Sequence, residues 1–319
     1  MRTHGSRGDR GHWARFVGDF DHDSTPDIGV LDPTQGERAG MLTIYSGFSG
    51  RAIWKCAVEN ECGSEVGGFL QAGDVDGDGT PDFAVVIGGG AVCRASLRIY
   101  SGASRLKLWE HLASESGHPT YAELEPLYCH ECLGPPDLAV SFYESVDVVR
   151  GRTGELVRQF ALQEGPIGEG TGYGWALAPL GLAQRYGDPD LVISEPEFGP
   201  SSGSLTAACS ENGLRVWTAE SPMDSSGFPS GRILGPRATT PYSTDDTFHF
   251  GYQVAEVGDV DGDGVWDLLV GSWAGASGQA GLARLVSGKD GSTLVQFRRK
   301  GDELLETRIE RTLMKARHN

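Results

Sequence analysis

Apolar and polar positions follow three recurring arrangements along the chain. In FHFGYQVAEVGD (248–259) and GYGWALAPLG (172–181) they alternate, the pattern of a half-buried strand. In IGVL, FAVVI and LLVG a short apolar run follows an Asp, which reads as a strand. In IYSGFSGRAIW (44–54), IYSGASRLKLW (99–109), VVRGRTGELVR (148–158), ACSENGLRVW (208–217) and LVSGKDGSTLV (285–295), two strands flank a tight, mostly Gly-containing turn.

These arrangements recur together. GDFDHDSTPDIGV (18–30), GDVDGDGTPDFAV (73–85) and GDVDGDGVWDLLV (258–270) are close copies, and LYCHECLGPPDLAV (127–140) and LGLAQRYGDPDLVI (180–193) are weaker ones. All five keep an Asp before the apolar run: Asp27, Asp82, Asp137, Asp190 and Asp267. The spacings are 55, 55, 53 and 77 residues, so the last unit carries an insertion. Each unit reads strand, acidic loop, strand, loop, strand, tight turn, strand. Four short antiparallel strands per repeat predict an all-β fold of β-propeller type. A solenoid, the other repeat architecture, usually has shorter and simpler units. The repeats are expected at about 11–62, 63–116, 117–163, 164–220 and 221–300, behind a disordered start at 1–10. Residues 301–319 form a basic tail. Leu305, Ile309 and Leu313 fall at helical spacing there, behind Asp302 as a cap, so the alternatives for 303–316 are a short helix and a frayed end.

Composition agrees with turns rather than helices. Glycine numbers 47 of 319 residues, about twice the usual ~7% share, and it is costly inside a helix. The formal charge is −17. It is uneven, because 1–18 and 298–319 hold eleven bases and five acids between them. Such acidity argues against a nucleic-acid partner, since phosphates need Lys and Arg. No apolar run approaches the ~18 residues of a membrane span, and the N-terminus shows no signal-peptide h-region.

Part of that acidity has a pattern. The three strong loops follow Asp-x-Asp-x-Asp-x-x-x-Asp: Asp19, Asp21, Asp23, Asp27; Asp74, Asp76, Asp78, Asp82; and Asp259, Asp261, Asp263, Asp267. Four carboxylates in nine residues repel one another unless a cation joins them. Alternating hard oxygen donors suit Ca²⁺, and by analogy with EF-hand loops the seventh-position carbonyls of Thr25, Thr80 and Val265 would add a ligand. Up to three Ca²⁺ ions are expected. An EF-hand itself is excluded, because position twelve is Val30, Val85 or Val270 and not Glu, and strands follow. Gly79 and Gly264 occupy the sharp turn at position six, where Ser24 in the first loop should be strained. The weak copies carry Cys129, Glu131 and Leu133, or Leu182, Gln184 and Tyr186, at the ligand positions and should not bind metal. Their Asp137 and Asp190 are expected to accept loop amides instead.

The chain resembles FG-GAP repeat proteins, the family of the integrin α-subunit N-terminal propeller and many bacterial surface proteins. Phe250-Gly251 stands at the FG position, Tyr173-Gly174 is a variant, and 258–272 is similar to the family's calcium loop and following strand. The resemblance covers about 11–297. It implies calcium loops on one face, a binding or adhesion role for loops on another, and an extracellular or cell-surface setting. Such propellers usually have about seven repeats where five are visible here, so the alternatives are a five-bladed ring and part of a longer one.

The expected ligand face is the one opposite the calcium loops, with Tyr143, Phe198, Trp273 and the insertion near 219–248, and the expected ligand is a protein or a glycan. Covering the central channel is the simpler role for the same loops. Other signals are weaker. Arg7-Gly8-Asp9 matches an integrin-binding tripeptide, which a long chain can contain by chance. Cys129-His130-Glu131-Cys132 lacks a second ligand pair for zinc. Cys56 and Cys62 flank a short loop and could pair. Trp54, Trp109 and Trp217 recur after the tight turns, as core aromatics or as a sugar platform. No nucleophile elbow, P-loop, zincin or dinucleotide motif is present. An enzyme is therefore the lesser reading, in the form of a carbohydrate-active lyase or hydrolase working in the central channel.

Overall fold

The computed structural model describes residues 13–32, 39–59, 66–89, 93–114, 123–127, 134–142, 145–161, 175–181, 190–195, 204–210, 212–220, 248–274 and 282–298. Among the described residues, twenty strands form five four-stranded antiparallel sheets, each a meander of consecutive strands. Blade 1 holds β1 (Trp13–Phe16), β2 (Ile28–Asp32), β3 (Ala39–Tyr45) and β4 (Ala52–Glu59). Blade 2 holds β5 (Val66–Gly73), β6 (Asp82–Ile87), β7 (Ser96–Tyr100) and β8 (Lys107–Leu112). Blade 3 holds β9 (Leu124–Leu127), β10 (Asp137–Phe142), β11 (Ser145–Val149) and β12 (Leu156–Ala161). Blade 4 holds β13 (Leu177–Pro179), β14 (Leu191–Glu195), β15 (Ser204–Ala208) and β16 (Arg215–Glu220). Blade 5 holds β17 (Phe248–Gly258), β18 (Asp267–Ala274), β19 (Leu282–Val286) and β20 (Thr293–Arg298). The fold is all-β, of the β-propeller class that the repeat predicts. The stretches 1–10 and 301–319, with the expected helix, lie outside the described residues.

Two compact units divide the chain: 1–126, 131–143 and 147–157 in the first, and the remainder in the second. In the first, blades 1 and 2 share a core built from Leu42, Ile44, Trp54 and Val58 on one side and Phe69, Phe83 and Tyr100 on the other. In the second, blades 4 and 5 enclose Leu205, Trp217, Phe250, Leu268 and Val270. Position within the blade decides each strand's pattern. The second strands β6 and β14 are buried at every residue, which is why apolar runs follow Asp82 and Asp190. The fourth strand β4 alternates, with Trp54, Cys56 and Val58 buried and Lys55 and Ala57 exposed.

The recurring tryptophans tie neighbouring blades. Trp54 Nε1 donates to Gly102 O at 2.6 Å, Trp109 Nε1 to Gly151 O at 3.2 Å, and Trp217 Nε1 to Gly288 O at 2.8 Å. Each acceptor belongs to the tight turn of the following blade. Trp54 and Trp217 are buried, so core packing accounts for them and a sugar platform does not. Blade 3 carries Arg158 at this position, and its Cδ lies 3.2 Å from where a Cβ on Gly213 would stand. Cys56 points the same way as Trp54. It is a buried thiol 3.5 Å from Ala57 O and 3.6 Å from Arg105 O, which corrects the Cys56–Cys62 bridge considered from sequence. Cys93 is disulfide-bonded.

Candidate metal centre

Each strong loop leaves the first strand of its blade and returns into the second. Backbone amides fold the loop around its own carboxylates. In blade 2, Gly77 N and Gly79 N donate to Asp74 (2.8 and 3.0 Å), Asp78 N to Asp76 (3.1 Å), and Thr80 N to Asp78 (2.8 Å). Blade 5 repeats this with Gly262 and Gly264 on Asp259, Asp263 on Asp261, and Val265 on Asp263. Blade 1 differs in detail, with Asp23 and Ser24 donating to Asp19.

The shared turn needs positive φ at positions four and six. Gly77 and Gly79 supply it at 81° and 89°, and Gly262 and Gly264 at 82° and 89°. Blade 1 must use His22 at 62° and Ser24 at 70°. Side chains are disfavoured there, so the strain expected at Ser24 is present, and His22 adds a second instance.

The folded loops bring oxygens together. One carboxylate oxygen each from Asp74, Asp76 and Asp78 lies within 4.8 Å of the others, as do those of Asp259, Asp261 and Asp263. In blade 1 the trio is Asp19, Asp21 and Asp27. The Asp21 carboxyl is raised above its ordinary value by desolvation and by the Asp23 and Asp27 carboxylates. An all-oxygen donor set carrying this much mutual repulsion fits a hard divalent cation.

The ninth aspartate has another task as well. Asp27, Asp82 and Asp267 are fully buried. Asp82 Oδ2 accepts Val75 N (2.7 Å) and Asp76 N (3.3 Å), while Oδ1 accepts Gly102 N (2.9 Å) from the tight turn. Asp27 receives Phe20, Asp21 and Gly47 in the same way, and Asp267 receives Val260, Asp261 and Gly288. Burial raises Asp82 and Asp267, against the pull of these amides. The clamp holds the acidic loop to the Ser-Gly turn of its own blade. The contact is tight: a methyl group on Gly102 would collide with Pro81 O.

In the weak blades the clamp persists. Asp137 Oδ1 accepts Gly151 N at 3.3 Å and Oδ2 accepts Arg150 Nη1 at 2.8 Å. Asp190 accepts Ser210 N at 2.7 Å and Ser210 Oγ at 2.5 Å. The sequence pattern marks these two as amide acceptors. It did not reveal that their donors come from the tight turn some 14–20 residues later. Residues 128–133 and 182–189, with the Cys-His-Glu-Cys run, lie outside the described residues, as do Arg7-Gly8-Asp9, Tyr173-Gly174, Tyr143, Phe198 and the insertion's 221–247. The backbone of Trp273 belongs to β18.

Five such blades, three of them with an acidic loop clamped to a turn, define a repeat protein of the β-propeller class. No protein-family model matches the chain, and no curated protein matches it. Among solved structures it is similar to the crystal structure of BBS1N in complex with ARL6DN, soaked with lead, at 13% identity and a TM-score of 0.44, over 91% of this chain and 83% of that one.

Proposed function

We propose that the chain is a calcium-stabilised FG-GAP-type propeller that serves as a protein- or glycan-binding module, in an extracellular or cell-surface setting. One observation carries the reading. Three loops with identical carboxylate spacing each gather three carboxylate oxygens within 4.8 Å. The chain's own residues do the preparatory work. Loop amides orient Asp74, Asp76 and Asp78, the ninth Asp fixes the loop to the tight turn, and the carboxylates stand close enough to share one cation. Bound Ca²⁺ would supply charge neutralisation, and binding to the folded state alone stabilises it, by ~2.7 kcal/mol per site at a hundredfold excess over Kd. Sites of this kind in extracellular modules are tuned to ~10⁻⁴–10⁻³ M, which suits calcium outside the cell. A rigid scaffold presenting loops is also a usual arrangement for a binding site.

A glycan array and a panel of candidate proteins, run with a polysaccharide-degradation screen, test the module. Saturable binding without product supports it. Release of sugar products would replace it with a carbohydrate-active enzyme.

A further inference from the structure

The three acidic loops share a spacing but not a donor set. In blades 2 and 5 the grouped carboxylates come from positions one, three and five: Asp74, Asp76 and Asp78, and Asp259, Asp261 and Asp263. In blade 1 they come from positions one, three and nine, Asp19, Asp21 and Asp27, and the fifth-position Asp23 is not among them. Asp27 is a poor substitute. It is fully buried, and its two oxygens already accept Phe20 N, Asp21 N and Gly47 N. Asp23 is engaged elsewhere. Its Oδ2 accepts the Ser46 hydroxyl at 3.4 Å, from the tight turn of the same blade, and Ser46 Oγ accepts Ser49 N at 3.1 Å. The corresponding Ser101 and Ser287 hydroxyls accept amides of their own turns, and among the described residues neither donates to Asp78 or Asp263. The backbone differs at the same place. Gly77 N and Gly262 N reach the position-one carboxylate at 2.8 and 2.7 Å, a bond that His22 N does not make among the described residues.

We infer that the blade 1 loop is the low-affinity site of the three and acts as a calcium sensor, because the cation and the tight turn compete for Asp23. The inference rests on the calcium reading above. For Asp23 to stand with Asp19 and Asp21, as Asp78 stands with Asp74 and Asp76, it must give up the Ser46 hydroxyl. Surrendering a hydrogen bond of this length weakens binding roughly two- to tenfold. The same exchange carries a signal. The 46–51 turn is tied to Asp23 in the empty loop and released from it in the filled one. Blades 2 and 5 have no such tie, so their loops fill first and stay filled, and blade 1 responds to calcium above that level.

Calorimetry on two variants separates the loops. D76N/D261N leaves only the blade 1 acidic loop intact, and D21N leaves the other two. Calcium should bind about tenfold more weakly to D76N/D261N than to D21N. Adding S46A to D76N/D261N should tighten binding about two- to fivefold, because Asp23 is then free beforehand. In the unsubstituted chain the Ser49 amide resonance, whose acceptor is Ser46 Oγ, should stay in place while the loops of blades 2 and 5 fill and shift as that of blade 1 does. This readout needs no substitution, so it stands even where a variant fails to fold. Equal affinities in D76N/D261N and D21N, weaker binding on adding S46A, or a Ser49 shift that tracks the first ions to bind would each overturn the inference and leave the calcium reading intact. Absence of binding heat in both D76N/D261N and D21N would overturn that reading and this inference together.

Discussion

Blades 1, 2 and 5 and blades 3 and 4 share a ninth aspartate but differ in what surrounds it. In the first group the carboxylate takes two amides from its own loop and one from the tight turn. In the second, the turn amide remains and a side chain engages the other oxygen: Arg150 in blade 3 and the Ser210 hydroxyl in blade 4. Bracing the turn is thus common to all five blades. The aspartates at positions one, three and five go with the acidic loops alone. The amide clamp therefore occurs without the close carboxylate trios, which among the described residues belong to the acidic loops.

The largest effect that could break this separation is at the clamp. D82A removes the acceptor of three amides, two of them from positions that fold has buried or half-buried. It should cost about 3–5 kcal/mol in denaturant melts even in chelator. D76N should cost little in chelator and abolish only the calcium-dependent part. If D82A loses stability only when calcium is present, the clamp has no structural role of its own.

Blade 4 contains a buried carboxylate of a different kind. Glu195, at the far end of β14 from the clamp, is 7% exposed, and its Oε1 has no hydrogen-bond partner among the described residues. Desolvation pushes it up to about 7, against the pull of Arg215. The folded state therefore holds this proton more tightly than the unfolded one. Its contribution to stability is intact at low pH and is lost as pH rises from the ordinary glutamate range through about 7. E195Q should flatten that slope and raise stability at pH 8 by about 2–3 kcal/mol, with no gain at pH 4. A parallel pH profile for the two proteins would mean that Glu195 ionises normally.

Smaller changes compare one acidic loop with another. S24G should relieve positive-φ strain and stabilise blade 1 by about 1 kcal/mol, while a Ser at Gly79 should cost as much in blade 2. In blade 5, Lys289 Nζ stands 3.9 Å from Asp263 Oδ2, where blades 1 and 2 have Phe48 and Ala103. Lys289 is largely exposed, so K289A should tighten cation binding at this loop only about two- to fivefold. Terbium luminescence can resolve it, because Trp266 adjoins the blade 5 loop where Pro26 and Pro81 adjoin the others.

The repeat made the blades legible before any coordinates. A period near 55 residues, an apolar run after each Asp and a Gly-containing turn were enough for five four-stranded sheets. Local strain was also readable, since Ser24 stands where its counterparts are glycine. What sequence did not disclose is long in range. The Trp54 indole reaches a carbonyl 48 residues away, and Asp82 receives an amide 20 residues on. Neither link has a local periodicity to announce it. Cys56 is a related case: nearness to Cys62 in sequence says nothing of a side chain that faces the next blade.

The central claim is that the three acidic loops, and not the two weak ones, hold calcium. Titration calorimetry of the metal-free chain tests it most directly. About three Ca²⁺ per chain are expected, reduced by one in each of D21N, D76N and D261N and unchanged in D137N and D190N. Absence of binding heat, or a stoichiometry indifferent to the first three substitutions, would contradict it.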